Sequence, residues 1–390
     1  MKFLTVDVGT GTQDIYLYQS DLAIENGFKL VVPSPTMMVF REIKAATHRG
    51  DDLLLTGLTM GGGPSHWAAR DHIKAGYQLY ATPDAARSFD DDLTLLRESG
   101  VQVVSEDEAN SLPDGVKRIQ LRDFDFSAIA DALGRFGVSL TGLAGIGVAV
   151  FDHGAAPPGY SDRQFRFDYL AEQLQPEKEG APGGQLSNLA FRRGEIPAEM
   201  TRLLAVESAA RELDAPLMVM DTAPAAVLGA SLDPRVRNKQ RVMIANVGNF
   251  HTLAFRLNEA RVEGVFEHHT GLIDQGKLDT LLRSFAAGSL THEDVFGDHG
   301  HGALIYSPEP YRFGEGDFDL VITGPRRNLM RGSSLRTYFA APYGDMMLTG
   351  CFGLLAAARK IFPEVDQEIG QSLFPEGDQA SGKPPWELFD

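Results

Sequence analysis

Apolar positions alternate with polar ones, or form short unbroken runs, near the start of the chain. Residues 2–7 and 13–18 are predicted to form two strands joined by a tight Gly-rich hairpin, and residues 29–32 a third strand. Residues 35–49 have the spacing of a helix, and helices and buried strands alternate beyond it. Two apolar runs typical of buried parallel strands stand at 53–57 and 142–151. The pattern predicts an antiparallel meander followed by α/β units.

The same order of elements recurs in the second half of the chain. The segment RVMIANVGNFHTLAFRLNEARVEGVFEHHTG, residues 241–271, predicts strand, Gly turn, strand, turn and strand. NVGNFHT at 246–252 occupies the place that DVGTGT holds at 7–12. Recurrence of a whole unit indicates a duplication. We therefore predict two α/β domains, residues 1–215 and 216–390, with an α/β subdomain inserted into the first at about residues 77–122.

Composition narrows the classes of function. The 390 residues carry a formal net charge of -17, which opposes binding to the phosphate backbone of nucleic acids. No apolar run approaches the length of a membrane span, and the chain starts with a strand-like segment in place of a signal peptide, so we expect a cytoplasmic protein. The single cysteine, Cys351, excludes an intramolecular disulfide and a cluster held by several cysteines. Oligomeric state, including a homo-oligomer, is left open.

The two Gly-rich turns have the composition of phosphate sites. Glycines and threonines let backbone N–H groups and hydroxyls approach an anion, because no bulky side chain intervenes. Two such turns facing each other across a cleft would hold opposite sides of a polyphosphate. Asp7, at the end of the first strand, would hold Mg²⁺ near those phosphates. The alternative for either copy alone is an ordinary hairpin turn with no ligand.

The order of these motifs resembles the superfamily of actin, sugar kinases and heat-shock chaperone ATPases. Residues similar to its two phosphate motifs are Asp7, Gly9, Thr10, Gly11 and Thr12, and then Asn246, Gly248 and Thr252. The small residues at 224–229 resemble its connecting helix, and Gly324 in VITGPRRN stands where its adenosine motif would be. The resemblance implies an actin-like ATPase fold of two duplicated ribonuclease-H-like domains, with ATP and Mg²⁺ bound between them.

Two positions depart from the superfamily pattern. Asn246 stands where many members have Asp, and Ala223 where the chaperones carry Glu, so hydrolysis is implied less strongly than nucleotide binding. The segments FDHGAAPPGYSDRQFRF, FEHHTG and LTMGGGP further resemble a prokaryotic family labelled pyruvate formate-lyase activating enzyme. That label implies a radical enzyme with a three-cysteine iron–sulfur motif, which a chain with one cysteine cannot supply.

Asp152 and His153 follow the strand at 142–151, where parallel strands of such folds present functional groups. In the kinases of the superfamily a carboxylate near this region accepts the proton of the attacking hydroxyl, so Asp152 is the candidate general base. His153 would orient phosphate, assist the base or bind metal. The alternative is an Asp that caps the following turn and a half-buried His bonded to the backbone.

Five more residues of metal-ligand type follow a strand or lie in a Gly-rich loop of the second half: His268, His269, Asp298, His299 and His301. Imidazole and carboxylate suit Zn²⁺, Mn²⁺ or Fe²⁺. We hypothesise that His153, one of the pair at 268–269 and one of the two at 299 and 301 meet in the cleft as a transition-metal site. The alternative is an exposed, adaptable loop without metal.

The combined prediction is Mg²⁺-dependent transfer of a phosphoryl group from ATP to a small-molecule acceptor. Two alternatives stay open: an ATP-dependent conformational activator of a partner enzyme, and a metal-dependent hydrolase or lyase that uses the His and Asp loops. A third Gly-rich turn, LTMGGGP at 58–64, follows a predicted strand and would bind the second substrate. A plain tight corner is the alternative for that turn.

Overall fold

The computed structural model describes residues 1–178, 181–375 and 386. Its strands are β1 Lys2–Val8, β2 Thr12–Gln19, β3 Phe28–Pro33, β4 Leu53–Gly57, β5 Leu79–Ala81, β6 Gln102–Val103, β7 Lys117–Leu121, β8 Leu143–Val150, β9 Ala190–Arg192, β10 Leu217–Asp221, β11 Arg241–Val247, β12 His251–Asn258, β13 Arg261–His269, β14 Gly302–Ile305, β15 Leu320–Thr323 and β16 Thr337–Phe339. Its α-helices are α1 Pro35–Arg49, α2 Pro64–Lys74, α3 Pro83–Ala86, α4 Leu93–Glu98, α5 Glu106–Ser111, α6 Phe126–Gly134, α7 Asp162–Gln173, α8 Thr201–Ala209, α9 Thr222–Ala230, α10 Gln275–Ala287, α11 His292–Phe296, α12 Thr349–Ile361 and α13 Pro363–Leu373.

Two six-stranded sheets share the order of five strands, β3-β2-β1-β8-β10 in the first and β13-β12-β11-β15-β16 in the second; the sixth strand is β9, antiparallel beside β10, in the first and β14, antiparallel beside β13, in the second. In the first, β3-β2-β1-β8-β10-β9, the meander of β1 to β3 is antiparallel, and β8 and β10 continue it in parallel from β1. In the second, β14-β13-β12-β11-β15-β16, the meander of β11 to β13 is continued in parallel from β11 by β15 and β16. This is the order of a ribonuclease-H-like domain, present twice. The predicted actin-like ATPase fold is confirmed.

A smaller sheet of four parallel strands, β6-β5-β4-β7, forms the α/β subdomain. The predicted insertion began at about residue 77, but β4 pairs with β5 and β7, so the small sheet takes in Leu53–Gly57 as well. An apolar run such as LLLTG suits either sheet, and the choice depends on pairing with distant strands. The domain limits 1–215 and 216–390 stay predictions, and residues 376–385 and 387–390 lie outside the described residues.

Two helices begin at the inner ends of the strands and cross each other. Helix α9 follows β10 directly, because the Asp221 carboxylate accepts a hydrogen bond from the Ala223 N–H (3.0 Å) and caps the helix. Helix α12 packs against α9 over much of its length. Glycines allow the close approach: a Cβ on Gly229 would lie 1.7 Å from the Thr349 carbonyl oxygen, and a Cβ on Gly353 1.8 Å from that of Ala225.

No helix among the described residues is long and apolar enough to cross a membrane.

Candidate functional site

A cleft of about 250 Å³ is lined by residues of both large sheets. The turn between β1 and β2 and the turn between β11 and β12 both contribute to its wall, as do the Gly-rich turn at 61–63 and the starts of α9 and α12. Most of the residues predicted to bind phosphate or adenosine line it: Asp7, Gly9, Thr10, Gly11, Thr12, Asn246, Gly248 and Gly324. The structure therefore brings together residues that lie more than 200 positions apart in the sequence.

The two turns have the same local geometry. In the first, the Gly9 N–H donates to the Thr12 carbonyl oxygen (2.9 Å), and in the second the Gly248 N–H donates to that of His251 (2.9 Å). Each turn leaves two residues at its tip, Thr10 with Gly11 and Asn249 with Phe250. Among the hydrogen bonds of the described residues, none uses the backbone N–H of these four tip residues. Four backbone donors are therefore free at the wall of one cleft.

The turns face each other closely. A Cβ built on Gly11 would lie 2.9 Å from Nδ2 of Asn249, so the tips of the two turns nearly touch. Gly324 adopts a left-handed φ of +97° beside the second turn, where a Cβ would lie 2.4 Å from Oδ1 of Asn246. A side chain at either glycine would intrude on the cleft, which explains why glycine suits both positions.

Thr252 is not part of the cleft wall. The sequence predicts Thr252 as a phosphate ligand of the second turn, but the hydrogen bonds of the two turns show that His251 is the counterpart of Thr12. Successive residues of a strand point to opposite faces, so the one-residue shift turns Thr252 into the core. There its hydroxyl lies 2.9 Å from that of Thr270, and its side chain is fully buried.

Two carboxylates stand side by side in the cleft. Asp7 and Asp14 are directly opposite each other in the pairing of β1 with β2, and both line the wall. Burial raises the pKa of Asp7 to about 7, despite the hydrogen bond that Thr222 donates to its Oδ1 (2.5 Å). Burial and the neighbouring Asp7 raise the pKa of Asp14 to about 8. Oδ1 of Asp14 is buried with no hydrogen-bond partner among the described residues. The pair would accept a cation.

Asp152, the predicted general base, has its carboxylate turned to a helix end instead of the cleft. Its Oδ2 accepts the N–H groups of Arg202 (3.0 Å) and Leu203 (2.9 Å) at the start of α8, and its Oδ1 accepts that of Gly154 (2.9 Å). Burial raises its pKa. The capping alternative therefore describes Asp152, because three backbone donors need an acceptor there.

Another carboxylate does line the cleft. Asp123 is buried and accepts two hydrogen bonds from Arg202, at 2.5 Å from Nε and 3.0 Å from Nη2. The Gly61 N–H of the third Gly-rich turn also donates to it (3.3 Å). This pair joins the small subdomain to the cleft. Sequence analysis missed both residues, since neither stands in a recognisable motif.

Histidines from both large sheets meet beside the turns. One nitrogen each of His153, His251 and His301 lies within 4.8 Å of the others. The ring of His269, which closes β13, lies 4.6 Å from that of His301 between centroids. Burial lowers the pKa of His153 well below its usual range, that of His269 to about 4 and that of His301 to about 3. These three rings are therefore neutral at pH 7.

The remaining predicted ligands do not join this group. His268 is buried on the other side of β13, where its Nε2 lies 3.2 Å from Oδ2 of Asp298. Asp298 also forms an ion pair with Lys277. His299 is exposed and has a left-handed φ of +63°. His251 was missed, although it stands within the NVGNFHT motif. Alignment of the two repeats without an extra residue would have placed it at the cleft.

A buried ion network supports the histidines. Arg166 of α7 donates from Nε to Oε2 of Glu267 (2.7 Å) and from Nη1 to Oδ2 of Asp221 (2.7 Å), and all three side chains are buried. Although burial opposes ionisation, the Arg166 guanidinium holds the pKa of Glu267 well below its usual range. Oε1 of Glu267 in turn lies 2.6 Å from Nδ1 of His251.

Comparison with known proteins identifies the family. The model of the family described as "Putative pyruvate format-lyase activating enzyme (DUF1786)" matches residues 60–329, which is 270 of the 390 residues. The chain belongs to the DUF1786 family. No curated protein matches this DUF1786 chain. The resemblance drawn from FDHGAAPPGYSDRQFRF and FEHHTG is thereby confirmed, since both segments lie inside the matched range.

Solved structures similar to the DUF1786 chain are distant. It resembles the activator of the 2-hydroxyisocaproyl-CoA dehydratase from Clostridium difficile with bound ADPNP (10% identity, TM-score 0.32, covering 97% of this chain and 100% of that one). It also resembles ROK hexokinase from Thermus thermophilus (13% identity, TM-score 0.31, covering 93% of this chain and 100% of that one). A third similar structure is MreB5 of Spiroplasma citri bound to ADP (11% identity, TM-score 0.34, covering 94% of this chain and 98% of that one). The fold follows from the strand order of the two large sheets.

The cysteine of the DUF1786 chain is structural. Cys351 is fully buried in α12, and its Sγ donates to the carbonyl oxygen of Asp14 (3.1 Å). Burial raises the pKa of its thiol well above the usual range, so the thiolate needed for metal binding is disfavoured. A cluster held by several cysteines of this chain is excluded by the sequence.

Proposed function

We propose that the chain binds ATP with Mg²⁺ between its two large sheets and transfers the γ-phosphoryl group to a small-molecule acceptor. The observation that carries this proposal is the set of four free backbone N–H groups, at Thr10, Gly11, Asn249 and Phe250, on two turns that face each other. Backbone donors converging in a concave site bind anions, because each donor is unsatisfied without one. Donors on both sides suit a chain of phosphates.

The residues also fit the cation that accompanies ATP. Asp7 and Asp14 supply the oxygen ligands that Mg²⁺ prefers, and the orphaned Oδ1 of Asp14 is available to it. In that position Mg²⁺ would offset the negative charge of the phosphates. Gly324, beside the second turn, would border the adenosine.

Acceptor chemistry would take place beside Arg202. Asp152 does not line the cleft, so we assign the base to Asp123, which does line it and which the guanidinium of Arg202 keeps oriented there. In the transfer, the acceptor hydroxyl gives its proton to Asp123 and its oxygen bonds to the γ-phosphorus. The bond from that phosphorus to the bridging oxygen breaks, and ADP leaves. The turn at 61–63 covers this part of the cleft and would contact the acceptor.

Calorimetric titration with Mg·ATP tests the binding step. We expect one site per chain in the wild type and at least about tenfold weaker binding in Gly11→Val, because its side chain would fill the space between the turns. Gly115→Val is the matched control, since Gly115 is exposed with nothing within 4 Å of a built Cβ. Absence of binding by the wild type, or equal binding by all three proteins, would refute the proposal.

A second proposed function is activation of a partner enzyme, which the family description names, here driven by ATP instead of an iron–sulfur cluster. Measurement of ADP release separates the two. A kinase releases ADP rapidly only when its acceptor is present, whereas a conformational activator turns over slowly and responds to the partner. Asp123→Asn tests the first function directly: it would abolish acceptor-dependent ADP release while leaving Mg·ATP binding within about twofold of wild type.

A further inference from the structure

We propose that His153, His251 and His301 form a binding site for one divalent transition-metal ion, such as Zn²⁺, at the wall of the cleft. This inference goes beyond the proposed function, because it requires neither ATP nor Mg²⁺. It also differs from the ligand set expected from the sequence, because His251 takes the place of the residue expected from the pair His268 and His269.

The distances are short enough for small side-chain movements to complete the site. The three ligand nitrogens lie within 4.8 Å of one another. Tetrahedral coordination with Zn–N bonds of about 2.0–2.1 Å places nitrogens about 3.4 Å apart. Each ring would therefore move by roughly 1 Å, which rotation of its side chain provides. Ring centroids are already 4.8 Å apart for His251 and His301 and 5.8 Å for His153 and His301.

The surrounding network orients the ligands. The Glu267 carboxylate bonds Nδ1 of His251, which leaves Nε2 of that ring free to bind metal. Carboxylates that hold the second nitrogen of a ligating histidine are a general feature of zinc sites. Nδ1 of His301 is buried with no hydrogen-bond partner among the described residues, although burial of an unpaired polar atom is costly. A bound metal, or a hydrogen bond formed when the metal binds, would give this nitrogen a partner.

Charge favours a cation at this position. The carboxylates of Asp221 and Glu267 share a single guanidinium, that of Arg166, so two buried acidic side chains and one basic side chain lie beside the three rings. Only His153 and His251 also line the open cleft, while His301 lies behind them. The fourth coordination position would therefore face the cleft, where a water or an anionic oxygen of a phosphate or carboxylate could take it.

The proposed metal would connect the two domains. His153 follows β8 of the first large sheet, whereas His251 begins β12 of the second and His301 precedes β14 of the same sheet. A ligand bound by both sheets stabilises the arrangement in which they are close together. Metal binding would then raise the melting temperature of the chain in proportion to the logarithm of metal concentration above the dissociation constant.

Titration of the chelator-treated protein with ZnCl₂ and CoCl₂ tests this inference, with no ATP present and no polyhistidine tag. We expect one ion per chain by calorimetry, a Co²⁺ absorption spectrum of the tetrahedral type and a higher melting temperature with Zn²⁺. His153→Gln, His251→Gln and His301→Gln would each bind at least about tenfold more weakly. His299→Gln, an exposed residue of the same loop as His301, is the matched control and would bind as the wild type does.

Two results would overturn the inference. One is a wild type that binds less than one ion per chain under these conditions, and the other is an equal loss of binding in His299→Gln. His153 is half-buried, so its variant remains informative if substitution of the buried His301 prevents folding. Because the titration omits nucleotide, its failure leaves the ATP proposal to be judged by its own experiment.

Discussion

The crossing of α9 and α12 gives a sharp prediction, that Gly229→Ala destabilises the chain although alanine is the better helix former. A Cβ at Gly229 would lie 1.7 Å from the Thr349 carbonyl oxygen, and such contacts are essentially never shorter than 3.0 Å. The helices must therefore separate locally by at least 3.0 minus 1.7, or 1.3 Å. Overpacking of this kind costs about 3 kcal/mol, and alanine returns up to about 1 kcal/mol through helix propensity.

The net cost of about 2 kcal/mol corresponds to a fall in melting temperature of roughly 4 °C, at about 2 °C per kcal/mol for a chain of this size. Gly134→Ala is the matched control, because Gly134 lies in helix α6, is exposed and has nothing within 4 Å of a built Cβ. We expect that control to melt at or slightly above the wild-type temperature. If Gly229→Ala melts together with Gly134→Ala, the inferred close contact is wrong.

The substitution Gly353→Ala provides a further check on the same crossing. Its Cβ would lie 1.8 Å from the Ala225 carbonyl oxygen. A single separation of the two helices relieves both clashes, so the double variant with Gly229→Ala should cost less than the sum of the single costs. Strict additivity would indicate two independent local distortions in place of a shared movement.

Three other predictions follow from the cleft and its supports. Asp14 is ionised in the unfolded chain above pH about 4 but stays protonated in the fold up to about pH 8, so the stability present at low pH is lost as pH rises between these values. In urea titrations without divalent cations, Asp14→Asn should remove up to about 4 kcal/mol of this loss between pH 5 and 8. An unchanged dependence of the unfolding free energy on pH would contradict the assignment. Arg166→Met removes the cation shared by two buried carboxylates and should cost about 3–5 kcal/mol in the same assay, whereas a cost below about 1 kcal/mol would show that the network is not fully desolvated. The ring of Trp67 lies 5.4 Å from that of Phe250 between centroids, at the second turn. In a Trp386→Phe background, which leaves Trp67 as the one tryptophan, Mg·ATP should change the fluorescence of Trp67. No change at saturating Mg·ATP would show that this contact persists when nucleotide binds.

The elements of the fold were predictable because their signals are local. Alternating polarity and a Gly turn predict β1, β2 and β3 to within one residue at each end, and the Ser34 cap with Gly50 at φ +80° explains why α1 spans the predicted 35–49. Membership of β4 in the small sheet was not predictable, because it depends on pairing with strands more than twenty residues away.

Residues of the candidate site were predictable only where a short local motif determines the backbone conformation. Gly9 and Gly248 were recognised because tight turns need glycine, and both lie in the cleft. The prediction that Asp152 lies in the cleft was wrong, because its carboxylate binds the start of α8, about fifty residues further along the chain, and that contact leaves no signal in the sequence near Asp152. His251 was overlooked because a one-residue shift in the alignment of the repeats gave its place to Thr252, and such a shift exchanges the two faces of a strand.

The duplicated turns differ in one respect that gives the cleft a direction. In the first sheet the residues opposite each other at the mouth of the turn are Asp7 and Asp14, whereas the equivalent positions of the second sheet hold Asn246 and Leu253. The two turns are therefore alike in backbone but not in charge, and the paired carboxylates lie on one side only. A polyphosphate between the turns would find a single seat for its cation, so only one of the two opposite orientations of that ligand would be favourable.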